Sequence, residues 1–236
     1  MGFASGKIKE LIWGRNQAPA NVAQLPGPEV DLPRVLQSVV RFAETKQIID
    51  QVLHAQTERK LRSLAVLSEL AQEGRTLFTA VVALGYGQLM RKKVLVVDCS
   101  TMRNPDSLTL DRLLDFDDSS EEGKRGEVRR TLSANVSLVR LSEWAEERDA
   151  MAEYEVKTLL ESVGRSFDLV LFDTCAMGVK NRNNLDPIAI ARRCDASMLV
   201  VSARTSSRGG LVDIRNRLRK ERLELLGLAS NDGVTS

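Results

Sequence analysis

Nowhere in its 236 residues does the chain hold a run of about 18 apolar positions, so no segment reads as membrane-spanning. The N-terminus lacks the apolar core and cleavage site of a secretory signal. Cysteine is scarce and odd in number, at three, which fits a reducing compartment better than a disulfide framework. Six prolines and 15 glycines are too few for a fibrous or largely disordered chain. An excess of one charge is missing too. Thirty-four Lys+Arg against 32 Asp+Glu leave a formal +2, without the basic surplus of a dedicated nucleic-acid binder. The expectation is a cytoplasmic globular protein with no nucleic-acid partner.

What is present is a chain that is 43% hydrophobic and long enough for one α/β domain with a substantial core. Residues 1–33 stand apart as an arm or linker, punctuated by Pro19, Pro26, Gly27, Pro28 and Pro33. Within the arm, Phe3, Ile8, Leu11, Ile12 and Trp13 lie among Lys7, Lys9 and Arg15, and the Ile8, Leu11, Ile12 spacing predicts one short amphipathic helix. Two readings of it stand: a tail that packs on nothing, or a docking segment for a partner or an anionic membrane surface. From Arg34 to about Lys60, Leu36, Val39, Val40, Ala43, Ile48, Ile49, Val52 and Leu53 recur at helical spacing, as one helix or two joined near Thr45.

Beyond that the pattern changes to short apolar runs at 63–68, 94–98, 136–141, 168–173 and 196–202, with a weaker one at 225–229. Runs apolar on both faces are the mark of buried parallel strands. Helix-length segments at 75–90, 107–115, 150–165, 185–193 and 208–223 separate them. The alternation predicts a three-layer, doubly wound, mostly parallel α/β sheet over residues 34–232, followed by a tail at 233–236. The stretch Asp115–Arg130 reads as an exposed loop.

In an open parallel sheet the ligand site lies at the carboxyl ends of the strands. After the first central strand the chain reads Ser68-Glu-Leu-Ala-Gln-Glu-Gly74-Arg75-Thr76 and enters an apolar helix. A phosphate-binding loop is G-x-x-x-x-G-K-[ST] between strand and helix, its N–H groups forming an anion nest. Gly74 and Thr76 keep the second half of that pattern, while Glu69 stands for the first glycine and Arg75 for the lysine. The next strand ends at Asp98 and a later one at Asp173-Thr174. Strand-end carboxylates are where a P-loop enzyme positions magnesium and the attacking group. Equally, an aspartate at a strand end can simply cap the turn that follows.

Taken in order, the loop, Val-Leu-Val-Val-Asp98 with Arg103-Asn104-Pro105, and Phe167-Asp-Leu-Val-Leu-Phe-Asp173-Thr174 resemble the bacterial tyrosine kinases of capsule and exopolysaccharide assembly. These are relatives of the MinD/ParA-type P-loop ATPases. The resemblance extends through Asn135-Val-Ser-Leu-Val, Asp195-Ala-Ser-Met-Leu-Val-Val and Leu226-Gly-Leu-Ala-Ser-Asn231. It implies ATP or ADP with magnesium as cofactors. It implies Gly74, Arg75, Thr76 and Leu77 on the phosphates, Asn231 near the base, and Thr76, Asp98 and Asp173 around the metal. Asp98 would be the base that activates a tyrosyl hydroxyl, and Asp173 the Walker B carboxylate. The implied setting is cytoplasmic, with a membrane polysaccharide co-polymerase or other export-machinery protein as partner, a homo-oligomeric state, and peripheral membrane contact through the partner.

The departures are as specific as the matches. Arg75 replaces a lysine whose compact charge fits between phosphates in a way a planar guanidinium does not. Ser100 occupies the place of a second aspartate, and the turn after Asp173 reads Cys175-Ala-Met. Tyr86 and Tyr154 are the only tyrosines, so there is no tyrosine cluster to phosphorylate. Two function classes follow. One is a degenerate pseudokinase acting as a regulatory interaction module; the other is an active Mg-ATP-dependent kinase or ATPase, with a MinD-like positioning ATPase ranked below both. Cys99 and Cys175 each follow a strand-end aspartate and read as small buried thiols. His54 reads as one position on a helix. Arg208, Arg215, Arg217, Arg219, Lys220 and Arg222 give the last helix a basic face, either solvated or facing an acidic partner or membrane surface.

Overall fold

A computed structural model describes residues 10–13, 32–100, 109–114, 128–130, 135–141, 152–178, 185–202, 204 and 206–231. Their strands are β1 (Glu10–Trp13), β2 (Ser63–Leu67), β3 (Val94–Asp98), β4 (Arg129–Arg130), β5 (Val136–Arg140), β6 (Leu169–Asp173), β7 (Ala196–Ser202) and β8 (Leu225–Asn231). All join one sheet in the order β1-β8-β7-β2-β6-β3-β5-β4. Every pairing is parallel except that of β4 with β5. The helices are α1 (Leu32–Val39), α2 (Ala43–Arg59), α3 (Arg75–Leu89), α4 (Leu110–Leu113), α5 (Ala152–Ser162), α6 (Pro187–Ala191) and α7 (Arg208–Lys220).

Strand side chains alternate between faces, and both faces here are apolar, so each needs a helical layer. Leu64, Val66, Val94, Val96, Leu169 and Leu171 point into one core with Ile48, Ile49 and Val52 of α2 and Phe78, Val81 and Val82 of α3. On the opposite face Leu95, Val97, Val170 and Phe172 pack with Val156 and Leu159 of α5. Beside them Ala65, Leu67, Leu199 and Val201 pack with Ile214 and Leu218 of α7. The central strands β2, β3 and β6 are buried at every position. This is the three-layer, doubly wound sheet that the alternation predicts.

One open alternative is resolved in favour of two helices, and one expectation changes. The helical stretch before β2 is broken at residues 40–42, so α1 and α2 are separate and the second begins at Ala43, ahead of Thr45. Thr45 is the reason the join is firm, its hydroxyl donating to the Val39 carbonyl at 2.9 Å. In the arm, Glu10–Trp13 is not a helix but a strand, parallel to β8 with Trp13 opposite Asn231. Four residues cannot hold a helix alone, whereas the open edge of β8 offers them ready backbone partners. Arg103, Asn104, Pro105, most of the 115–130 loop and the tail at 233–236 lie outside the described residues.

β2 leads into α3, the chain then runs outward to β3 and β5, returns to β6 between β2 and β3, and crosses to β7 and β8 on the other side. Strand order therefore reverses around β2 and β6. A crevice forms at the carboxyl ends of strands at such a switch point.

Candidate functional site

The loop from Ser68 to Gly74 closes that crevice from the β2 side. It is a built structure, held at both ends and in the middle. Ser68 Oγ donates to the Leu70 carbonyl at 2.8 Å, and the Leu70 N–H donates to Glu73 Oε2 at 2.8 Å. Gln72 and Gly74 adopt left-handed backbone, with φ of 65° and 95°. Gly74 needs its missing side chain for a second reason: a Cβ there would lie 2.5 Å from Asn231 Nδ2. Asn231 in turn donates to the Glu73 carbonyl at 3.2 Å.

Three further strand ends clasp the loop. After β6, the N–H groups of Met177 and Gly178 donate to the carbonyls of Ser68 and Glu69 at 2.9 and 2.8 Å. After β7, the Ser202 N–H and Ser206 Oγ donate to Glu73 Oε1 at 3.3 and 3.1 Å. β8 contributes Asn231. Glu73 is buried, and its carboxylate is the knot joining the loop to β7. Sequence reasoning passed over it, because a glutamate before a glycine reads as a solvated turn residue until its surroundings are known.

Gly74 is the residue before α3, so Arg75, Thr76 and Leu77 form the first turn of a 15-residue helix. The N–H groups of a first helical turn have no intrahelical acceptor and, with the helix dipole, make an anion site. Leu77 is partly buried against the first core, which leaves only its backbone to face a ligand. Arg75 and Thr76 point toward the strand ends. The Thr76 hydroxyl and the Arg75 charge both favour the ionised form of the Asp173 carboxylate.

Asp173 and Asp98 are brought together as neighbours in register on β6 and β3. Burial pushes the Asp173 carboxyl up to about 7, against the opposing pull of Arg75 and Thr76. Asp98 is also raised by burial, and is partly relieved by Ser100 and Arg140. Ser100, the residue in the place of a second aspartate, donates both its N–H and its hydroxyl to Asp98 Oδ1, at 2.9 and 2.6 Å.

The row continues one strand further. Arg140 ends β5 directly opposite Asp98. Its Nε lies 4.0 Å from Asp98 Oδ2, and its Nη2 pairs with Asp111 of α4. Arg140 went unremarked in the sequence although it carries the same signal as the two aspartates, a charged residue closing a buried apolar strand.

Cys99 and Cys175 do approach each other, Cys175 Sγ lying 3.6 Å from the Cys99 carbonyl oxygen. Burial pushes both thiols up, which keeps them protonated and unreactive. His54 is an exposed position on α2. Among the described residues no three His, Cys, Asp or Glu side chains converge as a metal-ligand set. No described helix is long and apolar enough to cross a membrane.

One polar inventory marks the crevice. Among the described residues four buried side-chain atoms have no hydrogen-bond partner: Glu69 Oε2, Arg75 Nη1, Asp173 Oδ1 and Ser197 Oγ. Glu69 Oε2 is answered by Arg217 Nη1 at 3.7 Å, which leaves Arg75 Nη1 and Asp173 Oδ1 at the mouth of α3 and the end of β6. Buried polar groups are otherwise satisfied almost without exception, so such a pair indicates groups reserved for something that binds there.

No protein-family model matches the chain, and no curated protein does. Solved structures do. The tyrosine kinase domain of BceF superposes with a TM-score of 0.59 at 20% identity, over 85% of this chain and 78% of that one. The kinase domain of the Escherichia coli tyrosine kinase ETK gives 0.61 at 16% identity, over 84% and 75%. A nucleotide-binding protein from Archaeoglobus fulgidus, solved in complex with ADP, gives 0.51 at 14% identity, over 78% and 71%. The fold is that of the bacterial tyrosine-kinase domains. Within this kinase-like fold, the segment Ser68–Gly74 joins β2 to α3.

Proposed function

We propose that the protein is a nucleotide-binding module of kinase-like fold that holds ATP or ADP in the crevice between its loop and the ends of β6 and β8. The observation that carries this reading is the unpartnered, buried Arg75 Nη1 at the start of α3, beside the free N–H groups of the first turn. A polyphosphate satisfies both, since guanidinium and helix N-terminus are each built for anionic oxygens. Asn231 would lie near the rest of the nucleotide, and its contact with Gly74 at the mouth of the loop supports that.

The module acts as a regulatory pseudokinase rather than an efficient phosphoryl-transfer enzyme. Arg75 in place of lysine supports this, because transfer depends on charge placed tightly against the β- and γ-phosphates. Asp98 supports it as well: its oxygens are engaged by Ser100 and face Arg140, so it is not free to take a proton from an acceptor. By the resemblance, its setting is the cytoplasmic side of capsule or exopolysaccharide synthesis, as a homo-oligomer beside a membrane co-polymerase or another export protein. The exposed arginines 208, 215 and 219 of α7 offer a basic face toward such an assembly.

Retention of Thr76, Asp98 and Asp173 favours one second reading, an active kinase or ATPase. Calorimetric titration with ADP and ATP tests the nucleotide site. Micromolar to submillimolar binding that is lost in Gly74→Ala is expected. No heat and no thermal stabilisation at millimolar nucleotide would overturn it. Release of phosphate from ATP, abolished in Asp173→Ala, would move the protein to the second reading.

A further inference from the structure

The fold family implies magnesium at the strand ends, and the donor types agree: Thr76, Asp98 and Asp173 offer hard oxygen atoms. Their surroundings do not agree. Magnesium demands a near-octahedral shell at about 2.0–2.1 Å and a surplus of negative charge facing it. Here one carboxylate of the pair, Asp98, already answers to a resident guanidinium.

Asp98 is the clearer case. Oδ1 accepts two hydrogen bonds from Ser100, at 2.9 and 2.6 Å, and Oδ2 faces Arg140 Nε at 4.0 Å. The Arg140 side chain is only 13% exposed, so its charge is little screened by solvent. It is held there from two directions, by the register of β5 with β3 and by its ion pair with Asp111. On the other side of the row, Asp173 lies within the field of Arg75. A divalent ion joining Asp98 would have to displace the Ser100 contacts on Oδ1 or compete with Arg140 for Oδ2. It would also sit among two fixed positive charges.

We propose that this site takes its nucleotide without magnesium, Arg75 binding the phosphates directly and Arg140 neutralising the carboxylate that would otherwise repel them. The proposal rests on the nucleotide-binding reading and narrows it to the metal-free nucleoside di- or triphosphate. Arg75 contributes the partner-free Nη1 that a phosphate oxygen can accept from. Arg140 does not touch the ligand. It is a positioning residue that acts through Asp98.

The experiment is titration of the full chain with ADP, once in EDTA and once in excess magnesium. Dissociation constants within about threefold of each other are expected, less than 1 kcal/mol apart. Binding at least about tenfold weaker in EDTA overturns the proposal while leaving the nucleotide site intact. Absence of binding under both conditions overturns the nucleotide reading itself, so the two failures are distinct. Arg140→Met then tests the assigned residue. With its circular dichroism unchanged, it should bind ADP about tenfold more weakly in EDTA and recover with magnesium, which now has an uncompensated carboxylate to join. Arg140→Lys should restore metal-independent binding. Equal binding by Arg140→Met and the parent chain in EDTA would remove Arg140 from the mechanism.

Discussion

Asp98 and Asp173 close two adjacent parallel strands in direct register, so two carboxylates share one buried end of the sheet. Neighbouring strands lie about 4.8 Å apart, and like charges at that distance in a dry setting cannot both ionise cheaply. Burial leads in raising both groups; the Asp98 charge adds to it at Asp173, and the Asp111 charge adds to it at Asp98.

Stability should therefore depend on pH in a definite sense. Asp173 titrates near 7 in the folded chain and near the ordinary carboxylate value of about 3.9 when unfolded, so the folded state binds the extra proton. Stability from this group is fully present below about pH 4 and is lost as pH rises toward 7, an effect of the order of 4 kcal/mol. Thermal melts of the parent chain and Asp173→Asn across pH 4.5–8 check it. The parent should lose its advantage as pH rises; a constant difference between the two would contradict the assignment.

Arg75→Ala should weaken ADP binding by about 1.5–3 kcal/mol, some ten- to hundredfold, since it removes a charged hydrogen-bond donor to phosphate. The fold should not suffer, because Arg75 Nη1 has no partner to lose. Calorimetry and a melting curve on the same preparation separate the two. A large fall in Tm with unchanged affinity would show that the guanidinium is structural.

Gly74→Ala should damage both loop and site. Its φ of 95° costs an alanine about 1–2 kcal/mol. The new Cβ would also press within 2.5 Å of Asn231 Nδ2. A Tm lower by about 2–8 °C is expected, together with loss of nucleotide binding. Adding Asn231→Gly should return part of the stability by clearing the contact, but not the part that belongs to the backbone. A fully restored Tm would mean that strain at φ 95° plays no role.

The two tyrosines differ sharply in access. Tyr86 is wholly buried, its hydroxyl bonded to Gln56, whereas Tyr154 is 64% exposed. A tyrosine kinase acting on the folded protein should modify Tyr154 alone, and peptide mapping by mass spectrometry reads this directly. Phosphate on Tyr86 of the native chain would contradict the packing of α2 against α3.

Much of this was legible in advance because one rule governs it. A run such as Val94–Val97 that is apolar at consecutive positions must be covered on both sides, and the charged residue that ends it must lie at the sheet's edge. Asp98 and Asp173 announce themselves that way. Arg140 obeys the same rule and was missed because its run, Val136–Val139, contains Ser137 and is followed by another leucine. Glu73 was illegible for a different reason. Nothing local says that its carboxylate turns inward, and only the arrival of Ser202 and Ser206 from β7, some 130 positions later, makes that burial tolerable.

The sequence by itself determined the layers, the strand order's alternation with helices, the glycine at the mouth of α3 and the two strand-end aspartates. Each of these follows from local chemistry: apolar periodicity, backbone freedom, and charge at the end of a buried run. The tertiary structure alone decided the rest. It drew Glu10–Trp13 into the sheet as a strand, because the edge of β8 supplies partners that four residues cannot find among themselves. It set Asn231 against Gly74 and Arg140 against Asp98, since parallel pairing aligns residues that the chain separates widely. Whether a carboxylate faces an empty crevice or a guanidinium depends on such pairings between distant strands, and no spacing along one strand contains that information.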